Sequence, residues 1–177
     1  MSAVSTKATP ATLALVAAKV TFTVHEYEND PSAASYGNEA AERLGVTAAR
    51  VAKTLVASVA RADRVELVVG VVPVHGKLDL KALAAAVGAK RAEMAKPADV
   101  ERSTGFVLGG VSPLGQRRRL VTVVDASLLG FATVFVSGGR RGLEVELSPH
   151  DLIATSSAVV AEISTGHSTE KIVLRAE

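Results

Sequence analysis

The stretch Gly109–Arg119 reads GGVSPLGQRRR, so glycines that allow close backbone approach precede three consecutive cations. Glycines followed by cations are typical of loops that bind phosphate. The spacing does not match a P-loop, which needs Gly-Lys-Ser/Thr after four intervening residues, or a dinucleotide loop that opens a helix. Two interpretations therefore stay open: a ligand cradle built from backbone amides and an ordinary tight turn.

The three arginines, Arg117–Arg119, would alternate across a strand, so at most two of them could share a face. A solvated strand edge that discourages sheet pairing explains them as well as a phosphate contact does. A second basic turn, SGGRRG at 137–142, carries Arg140 and Arg141. If the two turns meet in space, they could contact the phosphates of a nucleic acid.

Lys53 stands in the otherwise largely apolar strand-like segment VAKTLVAS. Burial would lower its pKa, and in either protonation state it could bind a carbonyl or phosphate oxygen. The residue pattern alone favours an exposed position on the strand. The only two tyrosines, Tyr27 and Tyr36, flank the loop at 28–35 and are more typical of half-buried packing residues than of catalytic ones.

Other catalytic patterns are missing from the sequence. The four histidines show neither an i, i+4 pair nor an H-E-x-x-H motif, there is no cysteine, and no serine lies in a G-x-S-x-G elbow. We therefore expect no metal site, no cofactor and no Ser-His-Asp triad. Glu144 and Glu146 alternate with apolar residues in LEVEL at 143–147, which predicts that both lie on the exposed face of a strand.

Composition limits the classes of function. The chain has 177 residues, of which 48% are hydrophobic and 3% aromatic, and a formal net charge of +2. So few aromatic residues argue against a base-stacking platform, and so small a charge argues against nucleic-acid binding by bulk electrostatics. The N-terminus lacks the apolar core of a signal peptide, and no apolar run is long enough to span a membrane. We expect a cytoplasmic protein.

Hydrophobic periodicity and turn residues predict the elements that must position these side chains. The first predicted helix begins at Pro10, and the other four cover 36–45, 79–88, 96–104 and 148–156. The predicted strands cover 22–27, 51–60, 65–74, 119–125, 132–137 and 143–147. Strands and helices do not alternate regularly, so the pattern indicates an α+β fold with mostly antiparallel pairing. Residues 1–8 and 164–177 are expected to be flexible or loosely packed termini.

Several segments, taken in order, resemble the YbaK/EbsC family of prolyl-tRNA editing deacylases. They are YGNEAAERLG, VAKTLV, VPVHGKLDLKALAAAVGAKRAEMA, TGFVLGGVSPLGQ and SGGRRGLEVELSPHDL. The resemblance covers residues 9–163 and implies one editing domain over that range. It also implies a strongly curved, mixed, mostly antiparallel sheet that approaches a barrel and is surrounded by short helices. The free-standing Cys-tRNA(Pro) deacylases are the branch that the chain resembles most.

The resemblance also implies roles for individual residues. Lys53 would hold the substrate's terminal adenosine phosphate or its ester, and the backbone of Gly109 would orient the aminoacyl group. The other implied pocket positions are Tyr27, Tyr36, Thr54, Gly110, Ser137 and Glu144. Glu144 stands where the family commonly has Asp, so its carboxylate would be displaced by more than about 1 Å as an anchor for the substrate amine. The two basic turns, and not the resemblance, suggest the tRNA contacts, which are Arg117, Arg118, Arg140 and Arg141.

For the cysteine-specific branch, the resemblance implies that the substrate thiol attacks its own ester, while the enzyme folds the aminoacyl group and stabilises the oxyanion. The implied partners are the 3′ aminoacyl end of mischarged tRNA(Pro) and, in a transient complex, prolyl-tRNA synthetase; neither DNA nor a membrane is expected. Two alternatives stay open. One is a related deacylase that cleaves Ala- or Ser-charged tRNA with water, and the other is a non-catalytic module that binds tRNA or the synthetase.

Overall fold

The computed structural model of the protein describes residues 8–33 and 35–166. In this part of the chain there are five α-helices: α1 (Pro10–Ala17), α2 (Tyr36–Leu44), α3 (Leu80–Ala86), α4 (Pro97–Thr104) and α5 (Pro149–Ser156). The ten strands are β1 (Thr23–Glu26), β2 (Ala52–Ala60), β3 (Val65–Pro73), β4 (Lys77–Leu78), β5 (Arg91–Met94), β6 (Val121–Asp125), β7 (Val134–Arg140), β8 (Leu143–Leu147), β9 (Val159–Ala161) and β10 (Ser164–Thr165). Short 3-10 turns cover Ala48–Arg50 and Ala126–Gly130.

The helices begin and end where side chains or glycines can complete their hydrogen bonds. Thr9, Ser35 and Ser148 each accept a hydrogen bond from a backbone N–H in the first turn of the helix that follows. Gly45 and Gly105 end α2 and α4 in the left-handed conformation. The five predicted helices are confirmed, with ends within two residues of the structure.

The strands form three sheets. The largest has the order β5-β2-β3-β6-β9, in which β2 and β3 make the predicted antiparallel hairpin and the β3–β6 and β6–β9 pairs are parallel. The second sheet, β1-β8-β7, is antiparallel, and β4 pairs with β10. The predicted α+β class with mixed, mostly antiparallel pairing is confirmed. A single curved sheet approaching a barrel stays a prediction, since within residues 8–33 and 35–166 the pairing connects the two larger sheets only through a bridge between Val51 and Phe135.

Several boundaries differ from the prediction. Strands β4, β5, β9 and β10 were not predicted, because two to four residues are too few to show an alternating pattern. Strand β6 begins at Val121, so Arg117–Arg119 lie in the preceding loop and not on a strand. Strand β7 continues to Arg140 through a register shift, into the segment predicted as a turn. Part of the tail predicted to be loosely packed, Ser164–Thr165, pairs with β4; residues 1–7 and 167–177 lie outside the described residues.

The main core lies between the two larger sheets, and its cluster includes Val69, Val71, Val124, Val136 and Val145, each fully buried. A second cluster packs α3 against the other face of the largest sheet. Burial of these side chains holds the beginning of β2 next to β7. Among residues 8–33 and 35–166, no helix is long and apolar enough to cross a membrane.

Candidate functional site

A pocket of about 310 Å³ opens where the beginning of β2 meets the β1-β8-β7 sheet. Seven of the eight residues that the resemblance assigns to catalysis and substrate binding line it: Tyr27, Tyr36, Lys53, Thr54, Gly109, Ser137 and Glu144. The eighth, Gly110, is the next residue of the same loop. The structure therefore brings together residues that are up to 117 positions apart in the chain.

Each side of the pocket comes from a different element. Tyr27 follows β1 and Tyr36 begins α2, while Lys53 and Thr54 belong to the first residues of β2. Ser137 in β7 and Glu144 in β8 are direct cross-strand neighbours. Gly109 lies in the loop between α4 and β6.

Lys53 is half-buried, whereas the sequence favoured an exposed position. Its Nζ donates a hydrogen bond of 2.7 Å to the backbone carbonyl of Gly76. Burial and, secondly, the charge of Lys77 lower the pKa of Lys53. An ammonium group has three donors, so two of them remain for a ligand oxygen in the pocket.

Glu144 is only 9% exposed, so the prediction that it lies on a solvent-exposed face is wrong. The alternating residues of LEVEL correctly placed Glu144 and Glu146 on one face of β8. They could not show that the pocket residues cover this face at Glu144. The carboxyl group of Glu144 makes no hydrogen bond to any described residue. Burial raises the pKa of its carboxyl to about 8, so the acid is largely protonated at neutral pH.

Tyr27 lines the same pocket as Glu144. Burial, followed by the charges of Glu144 and Glu39, raises the pKa of the Tyr27 phenol to about 12. The hydroxyl therefore stays protonated at neutral pH and can donate a hydrogen bond. The backbone N–H of Tyr27 donates to the Gly142 carbonyl at 2.9 Å, which ties the end of β1 to the β7–β8 turn.

Gly109 and Gly110, in the loop between α4 and β6, have different structural roles. The N–H of Gly110 donates to the Val107 carbonyl at 2.9 Å, and a Cβ at this position would lie 2.7 Å from the Cα of Arg140. The N–H of Gly109 has no hydrogen-bond partner among the described residues, and its φ of +86° favours glycine. On the pocket wall, Gly109 therefore presents an available amide donor, while Gly110 lets the loop pack closely on β7.

Two hydroxyl groups complete the polar lining. The Oγ1 atom of Thr54 is buried and has no hydrogen-bond partner within residues 8–33 and 35–166. The Oγ atom of Ser137 accepts a hydrogen bond of 3.1 Å from the backbone N–H of Gly139. A buried hydroxyl without a partner has a free-energy cost, which a polar ligand atom at Thr54 would offset.

The two basic turns meet at their glycines, because Gly110 packs against the backbone of Arg140, whereas Arg117 and Arg118 lie at the other end of their loop. Arg118 lines a different cavity together with Glu66, whose cross-strand partner Val59 is six residues from Lys53 along β2, about 20 Å away at the usual rise per residue. Arg117 is exposed in the same loop. In the other turn, Arg140 Nη2 lies 2.9 Å from a carboxylate oxygen of Glu26.

Arg141 contacts two parts of the pocket rim. Its guanidinium carbon lies 3.8 Å from the centre of the Tyr36 ring, and its Nη2 donates to the Leu108 carbonyl at 3.1 Å. The sequence predicted neither contact, and it did not assign Leu108 to the pocket. The only feature of the sequence that could have placed Leu108 in the pocket was its position directly before Gly109. Within the described parts of the chain, no cluster of three or more acidic or histidine side chains could hold a metal ion.

Comparisons with known proteins identify the family of the chain. Residues 30–155 match the family model of the aminoacyl-tRNA editing domain. The chain is 37% identical to the Enterococcus faecalis protein named "Putative Cys-tRNA(Pro)/Cys-tRNA(Cys) deacylase EbsC", over 71% of this chain and 74% of the relative. It is also 33% identical to the uncharacterized Bacillus subtilis protein YwhH, over 79% of this chain and 89% of that protein.

A crystal structure described as "a putative trans-editing enzyme for prolyl tRNA synthetase" superposes with a TM-score of 0.75 at 28% identity, covering 93% of this chain and 100% of the other. The family model spans most of the chain and includes six of the seven assigned residues in the pocket, all except Tyr27. The chain therefore belongs to the aminoacyl-tRNA editing domain family of deacylases.

Proposed function

We propose that this protein removes cysteine from Cys-tRNA(Pro) in trans, with an editing domain that spans residues 9–163. The observation that carries the proposal is the convergence of an ammonium group, an available backbone amide, a buried hydroxyl and a buried carboxyl on one pocket. Each of these groups suits a different part of an aminoacyl ester. The name of the Enterococcus faecalis relative supports cysteine as the amino acid that is removed.

In the proposed complex, Lys53 binds the terminal phosphate or the ester oxygen of the tRNA through its two remaining N–H donors. The Glu144 carboxyl receives the α-amino group. A cationic amine close to a buried carboxyl lowers the pKa of that carboxyl, so Glu144 ionises when the substrate binds. Replacing Asp with Glu extends the acid by one methylene, which places the amino group nearer to the centre of the pocket.

The chain contains no cysteine, so in this mechanism the substrate supplies the thiol. The sulfur attacks the ester carbonyl carbon, and the Gly109 N–H donates to the oxyanion that forms. The bond between this carbon and the ribose oxygen then breaks, and the ribose oxygen takes up the proton that the thiol lost. The products are a cyclic thiolactone and free tRNA. The protein contributes by holding sulfur and carbonyl in attack geometry.

We further propose prolyl-tRNA synthetase as a transient partner that presents the charged tRNA. Two observations support this: the name of the superposed trans-editing enzyme, and the net charge of +2, which provides little bulk attraction for tRNA. Arg140 remains a proposed tRNA contact because about half of its side chain is exposed at the β7–β8 turn. Arg117 and Arg118 could reach only a more distant part of the acceptor stem.

The test is single-turnover deacylation of tRNA(Pro) charged with cysteine, serine or alanine. Cleavage of the cysteine ester with the serine and alanine esters left intact is expected, because serine replaces the thiol by a hydroxyl at nearly the same position. Comparable cleavage of the serine ester would show a water nucleophile and overturn the substrate-assisted mechanism. Binding without cleavage of all three esters would indicate a non-catalytic tRNA-binding module.

A further inference from the structure

Arg141 in the β7–β8 turn contacts both the loop and the helix that border the pocket. Its guanidinium stacks on Tyr36 at the beginning of α2 and donates to the carbonyl of Leu108. Planar stacking and a fixed fork of donors suit arginine and do not suit lysine. One side chain therefore connects three separate elements at the pocket.

The carbonyl that Arg141 binds belongs to the same peptide unit as the N–H of Gly109. The described chain has no cis peptide bond, so this unit is planar and trans, and its N–H points opposite to its carbonyl. Holding the Leu108 oxygen at 3.1 Å therefore fixes the direction of the Gly109 N–H. A charged donor on the oxygen also polarises the N–H, which makes it a stronger donor.

The shape of the loop matches this arrangement. A Cβ on Gly109 would collide with Nε of Arg141 and would lie 3.0 Å from the Tyr36 ring. The stacked pair therefore packs directly against the Gly109 Cα, and only glycine fits between them. Arg141 does not line the pocket itself, whereas Leu108, Gly109 and Tyr36 do.

We propose that Arg141 is a positioning residue that holds the Leu108–Gly109 peptide with its N–H directed at the substrate ester carbonyl. The catalytic part of this inference rests on the proposed deacylase function. Arg141 acts through the peptide and does not touch the substrate. Its guanidinium is committed to the loop and to Tyr36, which separates its role from the tRNA contact that the sequence suggested.

The first experiment measures the peptide directly, without any substrate. In ¹⁵N–¹H spectra of the free protein, Arg141→Ala is expected to shift or broaden the Gly109 amide resonance, while Arg141→Lys shows a smaller change. Arg102→Ala is the matched control, because Arg102 is an exposed arginine on α4, paired with Asp99, in the element that precedes the same loop. An unchanged Gly109 resonance in Arg141→Ala would overturn the proposal.

The second experiment measures single-turnover cleavage at saturating enzyme, together with the half-saturating enzyme concentration. Loss of one oxyanion donor lowers rates by about 100- to 1000-fold, so a misdirected donor in Arg141→Ala is expected to lower the rate constant by about 10- to 100-fold. The half-saturating concentration should change less than about threefold, and Arg102→Ala should keep the wild-type rate. Thermal unfolding identifies any variant that fails to fold, in which case Arg141→Lys carries the comparison.

The two readouts separate the possible failures. A shifted Gly109 resonance in Arg141→Ala, combined with a wild-type protein that cleaves no charged tRNA(Pro), would refute the deacylase function and leave the role of Arg141 in the loop intact. A shifted resonance with an unchanged cleavage rate would refute the positioning role in catalysis. A rise in the half-saturating concentration alone would show that Arg141 contacts tRNA, and that result would also overturn the proposal.

Discussion

Glu144 and Glu146 lie two residues apart on the same face of β8, yet the pKa values of their carboxyl groups are shifted in opposite directions. Glu146 binds Thr133 Oγ1 at 2.6 Å and His25 Nε2 at 2.9 Å, and these contacts together with Arg50 hold its pKa below the usual range. The carboxyl of Glu144 is buried in the pocket without a hydrogen bond to any described residue, and burial raises its pKa to about 8. One strand thus carries a structural carboxylate and an acid available to a ligand.

The first prediction concerns the stability of Glu144→Gln. Because the folded-state pKa of Glu144 lies above its unfolded value, the wild type loses stability as the pH rises from about 4.5 to about 8. The free energy of unfolding of Glu144→Gln, relative to that of the wild type, should therefore increase between pH 5 and pH 9, by at most about 5 kcal/mol. Urea denaturation at these two pH values measures the difference.

Glu146→Gln is the control for this prediction, because its sign is opposite. The lowered pKa of Glu146 contributes stability above its unfolded pKa, and that contribution is lost as the pH falls through the folded value. Glu146→Gln should be destabilised by about 1 kcal/mol at pH 7 and much less at pH 3. If both variants respond to pH with the same sign, the assignment of the two environments is wrong.

The second prediction concerns Lys53. Lys53→Ala should lower single-turnover cleavage by about 100-fold or more, since it removes the only ammonium group that lines the described pocket. Its unfolding transition should be close to that of the wild type, because only one hydrogen bond to a carbonyl is lost. Lys81→Ala, an exposed lysine on α3, is the control for loss of a positive charge.

Lys53 should also impose a pH dependence on cleavage. Its pKa is lowered, so the ammonium form is lost at a lower pH than that of an ordinary lysine. Substrate binding by the wild type is therefore expected to weaken on the alkaline side earlier than an unperturbed lysine would allow. A binding profile that stays flat up to the ordinary lysine pKa would contradict this role.

The third prediction compares two glycines with the same backbone requirement. Gly45 has a φ of +66°, and a Cβ added there would meet no described atom within 4 Å, whereas a Cβ at Gly109 would meet Arg141 and Tyr36. Gly45→Ala should cost about 1 to 2 kcal/mol for the left-handed conformation and leave cleavage intact. Gly109→Ala bears this cost and that of the steric clash, and it should also lower cleavage at least about tenfold, because Arg141 and Tyr36 must move. Chemical denaturation and single-turnover assays of both variants test the comparison.

The fourth prediction concerns the buried hydroxyl of Thr54. Thr54→Val replaces an Oγ1 that has no partner in the described chain by a methyl group of similar size, so the free protein should be unchanged or stabilised by about 1 kcal/mol. Substrate binding should weaken if this hydroxyl bonds the aminoacyl group. A clear loss of stability in the free variant would show that Oγ1 has a partner within the protein.

How far the sequence predicted the fold depended on the length of each element. Helix α2 and the β2–β3 hairpin were predictable because caps, glycines and alternating residues are local signals. The short strand β5 was not, since its four residues are defined by pairing with β2 and not by their own pattern. The parallel pairing of β6 with β3 and β9 likewise depends on contacts between distant segments.

For the site, the sequence by itself determined which residue types were available: one lysine in an apolar strand, glycines in a loop and two tyrosines beside a turn. These are local properties, and the family resemblance collected them into one proposed pocket. Only the tertiary structure decided their state. It buried Glu144 and left Glu146 paired, and it left the Gly109 amide available while it engaged that of Gly110. It also brought Arg141 into contact with Leu108 and Tyr36. Burial and the choice of partners depend on residues that meet only after the chain has folded, so the sequence could not show them.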